Sequence, residues 1–171
     1  ALLEGRMVEM ATGEGKTLTA SMAAVVAAWR GMPCHVVTAN DYLATRDAQV
    51  GAPLFAWCGL SVASVTDETP PAARAAAYGH DVVYTTAKDL LGDHLRDRLR
   101  LGRHPSRMRQ ALNNAGLRNA AQSQPVMRGV WQVIVDEADS VLIDEAVTPL
   151  IISAQRPDDL LVQAAHEAVA L

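Results

Sequence analysis

The sequence predicts an α/β domain, a mainly parallel sheet with helices on both faces and a phosphate-binding loop. Three observations carry this. Short apolar runs rich in β-branched residues alternate with Ala- and Leu-rich runs of helical length, the pattern of βαβ units with right-handed crossovers. The segment Met10-Ala11-Thr12-Gly13-Glu14-Gly15-Lys16-Thr17 stands between a run that reads as strand and one that reads as helix. A later apolar run, Val133-Ile134-Val135, ends in the carboxylates Asp136 and Glu137. On a parallel sheet both features lie at carboxyl ends of strands, where such sheets bind ligands.

In chain order, Arg6–Met10 reads as the first strand and Leu18–Trp29 as the helix behind the loop. The glycines between them let backbone N–H groups turn toward a polyphosphate, and the helix N-terminus adds partial positive charge. Lys16 can then reach the β- and γ-phosphates, and the Thr17 hydroxyl can ligate Mg²⁺. One letter departs from the G-x-x-x-x-G-K-[ST] pattern, because Met10 holds the place of the first glycine. Gly31-Met32-Pro33 is a turn into a buried strand at Cys34–Thr38. Asn40 or Asp41 caps the next helix, with Tyr42, Leu43, Val50, Leu54, Phe55 and Trp57 on its apolar positions and Pro53 kinking or dividing it. Leu60–Val65 is a third strand, and Asp67–Pro71 a loop into a short Ala-rich helix ending near Gly79. Asp81–Thr85 is the fourth strand and Ala87–Leu101 a helix, followed by an irregular polar stretch to about Met127. Trp131–Asp136 is the fifth strand and Leu150–Ser153 a sixth; Pro157 opens a last Ala-rich helix. Neither end carries a cap, so the sequence is expected to be a piece of a longer chain.

Composition narrows the class. The 171 residues suffice for one domain with a substantial core. Half of them are apolar but only 4% aromatic, so that core must be built of Ala, Val, Leu and Ile, which suits helices packed on a parallel sheet. A net charge of −4 argues against nucleic-acid binding through bulk positive charge. Cys34 and Cys58 form no C-x-x-C and no signal peptide precedes them, so both are expected to be buried thiols in a reducing cytosol. No apolar run approaches the roughly 18 residues of a membrane span.

Adjacent carboxylates after an apolar strand have separate tasks in P-loop ATPases. The aspartate holds Mg²⁺, often through water, and the glutamate orients or deprotonates the attacking water. That assigns Asp136 to the metal and Glu137 to general-base work. A solvated acidic turn would read the same in isolation; beside Gly13-Glu14-Gly15-Lys16-Thr17 the chemical reading prevails. Glu9 and Glu14 read as structural or solvent-facing rather than catalytic.

Several long segments resemble SecA, the motor ATPase of bacterial preprotein export. They are Thr12–Ala20, Val36–Ala48, Val135–Ala146 and Thr148–Ser153, in the family's order and across nearly the whole chain. The resemblance implies a RecA-like P-loop NTPase fold, with residues 1–153 forming the first nucleotide-binding domain and 154–171 the start of the preprotein cross-linking domain. It implies that Gly13, Glu14, Gly15, Lys16 and Thr17 bind ATP phosphates, that Thr17 and Asp136 hold Mg²⁺, and that Glu137 and Lys16 are catalytic. Arg46 matches an arginine that lies near the nucleotide in the family, although a helix-surface arginine would look the same. The family's adenine-reading glutamine falls before Ala1, and its second RecA-like domain is expected elsewhere in the full-length chain. Residues 1–171 alone are therefore expected to turn over little or no ATP. The implied partners are a preprotein, a SecYEG-type membrane channel and acidic phospholipids, with no specific nucleic acid. The implied place is the cytoplasm, peripherally at the inner face of the cytoplasmic membrane.

This sequence departs from the family pattern at Ala11, which stands for Lys or Arg, and at Val147, which stands for the arginine of Asp-Glu-Ala-Arg-Thr-Pro. Ala87–Asp97 differs from the usual Asn-Glu-Phe-Gly-Phe-Asp-Tyr-Leu-Arg-Asp, and the stretch from Leu99 to Met127 is longer. The nucleotide chemistry is kept while segments that meet protein substrate are altered, as in a divergent or accessory SecA. Arg96, Arg98, Arg100, Arg103, Arg107, Arg109 and Arg118 form a basic stretch that reads as a solvated excursion or as a patch for anionic lipid. The competing function is a superfamily 2 nucleic-acid helicase, because Asp136-Glu137-Ala138-Asp139 spells that signature and the two families share a fold. A binding module without turnover is a third reading, opposed by the intact Lys16, Thr17, Asp136 and Glu137.

Overall fold

The computed structural model describes residues 1–11, 13–101 and 125–145. Four strands form one sheet: β1 (Cys34–Thr38), β2 (Val62–Val65), β3 (Val82–Thr86) and β4 (Gln132–Val135). Their order is β2-β3-β1-β4 and every pairing is parallel, with Val36 opposite both Tyr84 and Ile134. The expected α/β parallel architecture is what the chain adopts.

Alternation along the strands assigns the two faces. Val36, Val82, Tyr84 and Ile134 pack with helices α1 (Lys16–Ala28) and α2 (Asp41–Trp57). Val37, Val65 and Val83 pack on the other side with Tyr78, at the end of α3 (Pro71–Ala77), and Leu90 of α4 (Ala87–Leu101). Strands covered on both faces read as continuous apolar runs, which is why β1 and β3 were plain in the sequence. In α1 the buried face is Ala20, Ala23, Ala24, Ala27 and Ala28, whose small side chains bring the helix close to the sheet.

Several expectations are corrected. Arg6–Met10 forms no strand: Met7 is 95% exposed, and among the described residues β4 is the sheet's edge. These residues carry strand propensity but make no ladder hydrogen bonds, and propensity without a partner does not make a strand. Pro53 lies inside α2 without dividing it. The buried stripe of α2 is Ala44, Asp47, Ala48, Gly51 and Phe55, while Tyr42, Val50 and Trp57 are exposed. Of the two thiols, Cys34 is buried and Cys58 only partly so. Burial pushes Cys34 up to about 12, leaving it an inert thiol. Strand β2 begins at Val62 rather than Leu60 because α2 ends in a Schellman motif. There the Gly59 N–H donates to the Ala56 carbonyl and the Leu60 N–H to the Phe55 carbonyl. The strand expected at Leu150–Ser153, the helix from Pro157 and most of the basic stretch lie outside the described residues.

Candidate functional site

The loop before α1 turns at two glycines in left-handed conformation, Gly13 at φ +85° and Gly15 at φ +82°. A Cβ at either would meet nothing within 4 Å, so glycine is required by the backbone conformation and not by crowding. Gly15 caps α1, and its carbonyl accepts the Thr19 N–H at 3.0 Å. Lys16 and Thr17 therefore occupy the first turn, where unpaired N–H groups and the helix dipole favour an anion. Glu14 stabilises the loop from within: its carboxylate accepts the Ala11 N–H at 3.2 Å. Thr12 is not among the described residues.

Beneath this turn a polar line runs into the core. Ser21 Oγ donates to the Thr17 carbonyl at 2.8 Å and lies 3.1 Å from Tyr84 Oη. Burial raises the Tyr84 phenol; Ser21 opposes this, and Asp47 and Asp136 add to it. Nothing in the periodicity of α1 announced Ser21, whose place on the alanine face was the available signal.

Across the cleft, β4 delivers the acidic turn. The Asp136 N–H donates to the Val37 carbonyl at 2.8 Å, extending the parallel ladder one residue past the strand. Asp136 Oδ1 accepts the N–H of Glu137 at 3.0 Å, and Glu137 is held at φ +55°. The Val141 N–H then donates to the Glu137 carbonyl at 3.0 Å, leading into a π-helical turn at Ser140–Asp144. Such turns are rare and concentrate at functional positions.

Lys16 and Asp136 line one open cleft of about 60 Å³, with Val8, Met10, Thr19 and Ile134 among its walls. Lys16 makes no ion pair among the described residues. Glu137 is exposed and does not line this cleft. Arg46 projects from α2 and bonds Asp47, with Nε and Nη2 at 2.8 and 2.7 Å from Asp47 Oδ1. Asp47 raises the Arg46 guanidinium most, and Tyr42 and Asp136 raise it further. The fold thus brings Lys16, Asp136 and Arg46 to one end of the sheet across more than a hundred positions of sequence. Lys16 and the N-terminus of α1 suit phosphates and Asp136 offers carboxylate oxygens of the kind a hard divalent ion takes, while Thr17 does not line the cleft.

Comparison with known proteins identifies the family. A family model described as the SecA DEAD-like domain matches residues 1–170. "Protein translocase subunit SecA 2" of Chlorobium chlorochromatii is 47% identical over 171 residues, all of this chain and 26% of the relative. The protein of the same name from Magnetococcus marinus is 52% identical over 156 residues, 90% of this chain and 24% of the relative. "Protein translocase subunit SecA" of Acinetobacter baumannii is 41% identical over 157 residues, 92% of this chain and 15% of the relative. The chain spans about a quarter of the length of the first two. With its parallel sheet, its Gly-Glu-Gly-Lys-Thr loop and its Asp-Glu-Ala-Asp turn, this chain belongs to the SecA DEAD-like domain family.

Proposed function

We propose that this chain is the ATP-binding and hydrolysing motor domain of a SecA-type translocase that drives preproteins across the cytoplasmic membrane. The observation that carries the reading is Lys16 and Asp136 lining one cleft, between the N-terminus of α1 and the end of β4. Lys16 and the first-turn N–H groups of α1 bind the β- and γ-phosphates, with the loop at Gly13 and Gly15 turning its backbone toward them. Thr17 and Asp136 would hold Mg²⁺, which when bound neutralises charge developing on the transferred phosphoryl group. Glu137 accepts the proton of the attacking water, and Arg46 adds positive charge at the rim. Residues 1–153 are assigned to the nucleotide-binding domain and 154–171 to the opening of the preprotein cross-linking domain. The partners are a preprotein, a SecYEG-type channel and acidic lipid, together with a second RecA-like domain. The protein works from the cytoplasm at the membrane surface, in keeping with the described helices, none of which is long and apolar enough to cross a bilayer.

The test separates binding from chemistry in the full-length polypeptide. Glu137→Gln keeps the side-chain shape and removes the base, so it should bind ATP at parent affinity and lose at least about 10²-fold in turnover. Lys16→Ala should lose binding itself. Parent-rate hydrolysis by Glu137→Gln would remove Glu137 from the role of base.

A further inference from the structure

One buried charge has no part in the nucleotide contacts assigned above. Asp47 sits in the inward stripe of α2 beside Ala44, Ala48 and Gly51, and its side chain is 5% exposed. A carboxylate taken out of water is stable only where a cation and hydrogen bonds answer it. Here the answer comes from its chain neighbour, with Arg46 Nε and Nη2 both on Asp47 Oδ1. Adjacent residues on a helix point in different directions, so helix geometry does not supply this pairing. The arginine folds back along α2 to make it. Its side chain remains 44% exposed, and among the described residues Nη1 makes no hydrogen bond.

Helix α2 opens just past the carboxyl end of β1, where the Asp136 N–H donates to the Val37 carbonyl, so Arg46 and Asp47 in its second turn lie toward the same end of the sheet as Asp136. Asp136 contributes to the raised basicity of Arg46, and the Tyr84 phenol responds to both Asp47 and Asp136. Tyr84 in turn meets Ser21, which bonds the Thr17 carbonyl in the first turn of α1. A free arginine loses considerable rotamer freedom when it grips a phosphate; one already held to a carboxylate by a hydrogen bond from Nε and an ion-pair contact from Nη2 has lost much of it before the ligand arrives. We infer that Asp47 is a positioning residue for nucleotide binding, whose buried carboxylate holds the Arg46 guanidinium in one orientation beside the phosphate site. This rests on Arg46 being a nucleotide contact.

The experiment is a double-mutant cycle in the full-length polypeptide, read by titration with a fluorescent ATP analogue in Mg²⁺ buffer and by KM and kcat. Asp47→Asn keeps the shape and removes the charge. It should weaken nucleotide binding and raise KM by about tenfold, with kcat at saturation near the parent value. In an Arg46→Ala background the same change should add nothing, because the group it positions is gone. Arg46→Lys keeps the positive charge without the fork, and should bind as weakly as Arg46→Ala. An equal loss from Asp47→Asn in both backgrounds would overturn the inference, as would a lowered melting temperature with unchanged KM. If Asp47→Asn does not fold, Arg46→Lys decides: parent affinity there would show that the clamp is dispensable. Parent affinity in Arg46→Ala would instead remove Arg46 from the site, a distinct failure of the underlying reading.

Discussion

Glu137 is a non-glycine residue held at φ +55°, a conformation that costs roughly 1–2 kcal/mol. Three hydrogen bonds surround it: Asp136 to the Val37 carbonyl, Glu137 to Asp136 Oδ1, and Val141 to the Glu137 carbonyl. The oxygen that accepts the Glu137 N–H belongs to the carboxylate proposed for the metal, so ligation there competes with the bond that supports the turn. His35 shows a different residue-scale effect. It is 1% exposed, packs against Tyr78 at 5.9 Å and has no partner for Nδ1 among the described residues. Burial lowers its pKa, a hydrogen bond from the imidazole to the Gln132 backbone opposes this, and Arg128 lowers it further. The folded protein therefore holds His35 neutral, while the unfolded chain takes up a proton below about pH 6.5. Because the unfolded state then binds more protons, stability is complete above that pH and is lost as pH falls through it. Amide exchange in β1, corrected for intrinsic pH dependence, should accelerate between pH 7 and pH 5, and His35→Gln should flatten the profile. An unchanged slope in that variant would assign the effect to other groups.

At the scale of elements, Arg74 ties the second face of the sheet together. It bonds the Thr66 and Thr69 carbonyls, Asp89 at 2.8 Å and Asp93 at 2.7 Å, so one guanidinium joins the β2–α3 loop, α3 and α4. Tyr78 adds a hydrogen bond to Asp93 at 3.0 Å. Burial alone would lower the basicity of Arg74, but hydrogen bonds to Asp93 and Asp89 outweigh it and raise it. Asp93 is 3% exposed, and without Arg74 only Arg96 and Tyr78 answer its buried charge, while Asp89 loses its arginine. Arg74→Met should cost about 3–5 kcal/mol of local stability. Hydrogen exchange in α3 and α4 of the full-length polypeptide would report it, and parent protection in both helices would contradict it. Sequence reading placed α3 correctly but gave Arg74 no role, since a lone arginine in an alanine run carries no periodic signal. The same limit explains α2. Of its large apolar residues Phe55 is fully buried and Leu54 packs against the core, but Tyr42, Val50 and Trp57 are exposed, and the rest of the buried stripe is the small residues Ala44, Ala48 and Gly51 beside Asp47. Asp47 on that stripe was the visible clue, a charge at a position every neighbour marks as interior. By contrast Lys16 and Asp136 were legible from local chemistry alone, one beside a glycine turn and the other at the end of an apolar strand.

For the whole molecule, the proposed motor function implies a polymer to be moved, and the parallel sheet and the Asp-Glu-Ala-Asp turn serve helicases as well as translocases. Charge separates the two. A domain that grips nucleic acid by its backbone places Lys and Arg to meet phosphates, with affinity that falls steeply as salt rises. This chain carries 15 basic against 19 acidic residues, a net charge of −4. Among the described arginines, Arg46, Arg74 and Arg96 are bound to internal carboxylates and Arg128 to the Tyr78 and His80 carbonyls. Four of the described arginines are thereby engaged within the fold. ATP turnover by the full-length polypeptide should accordingly be indifferent to single-stranded RNA at physiological salt. It should rise severalfold with a signal-peptide-bearing preprotein and vesicles of acidic phospholipid. Stimulation by RNA that vanishes with added salt, with no response to preprotein, would move the assignment to the helicase reading while leaving the roles of Lys16 and Asp136 intact.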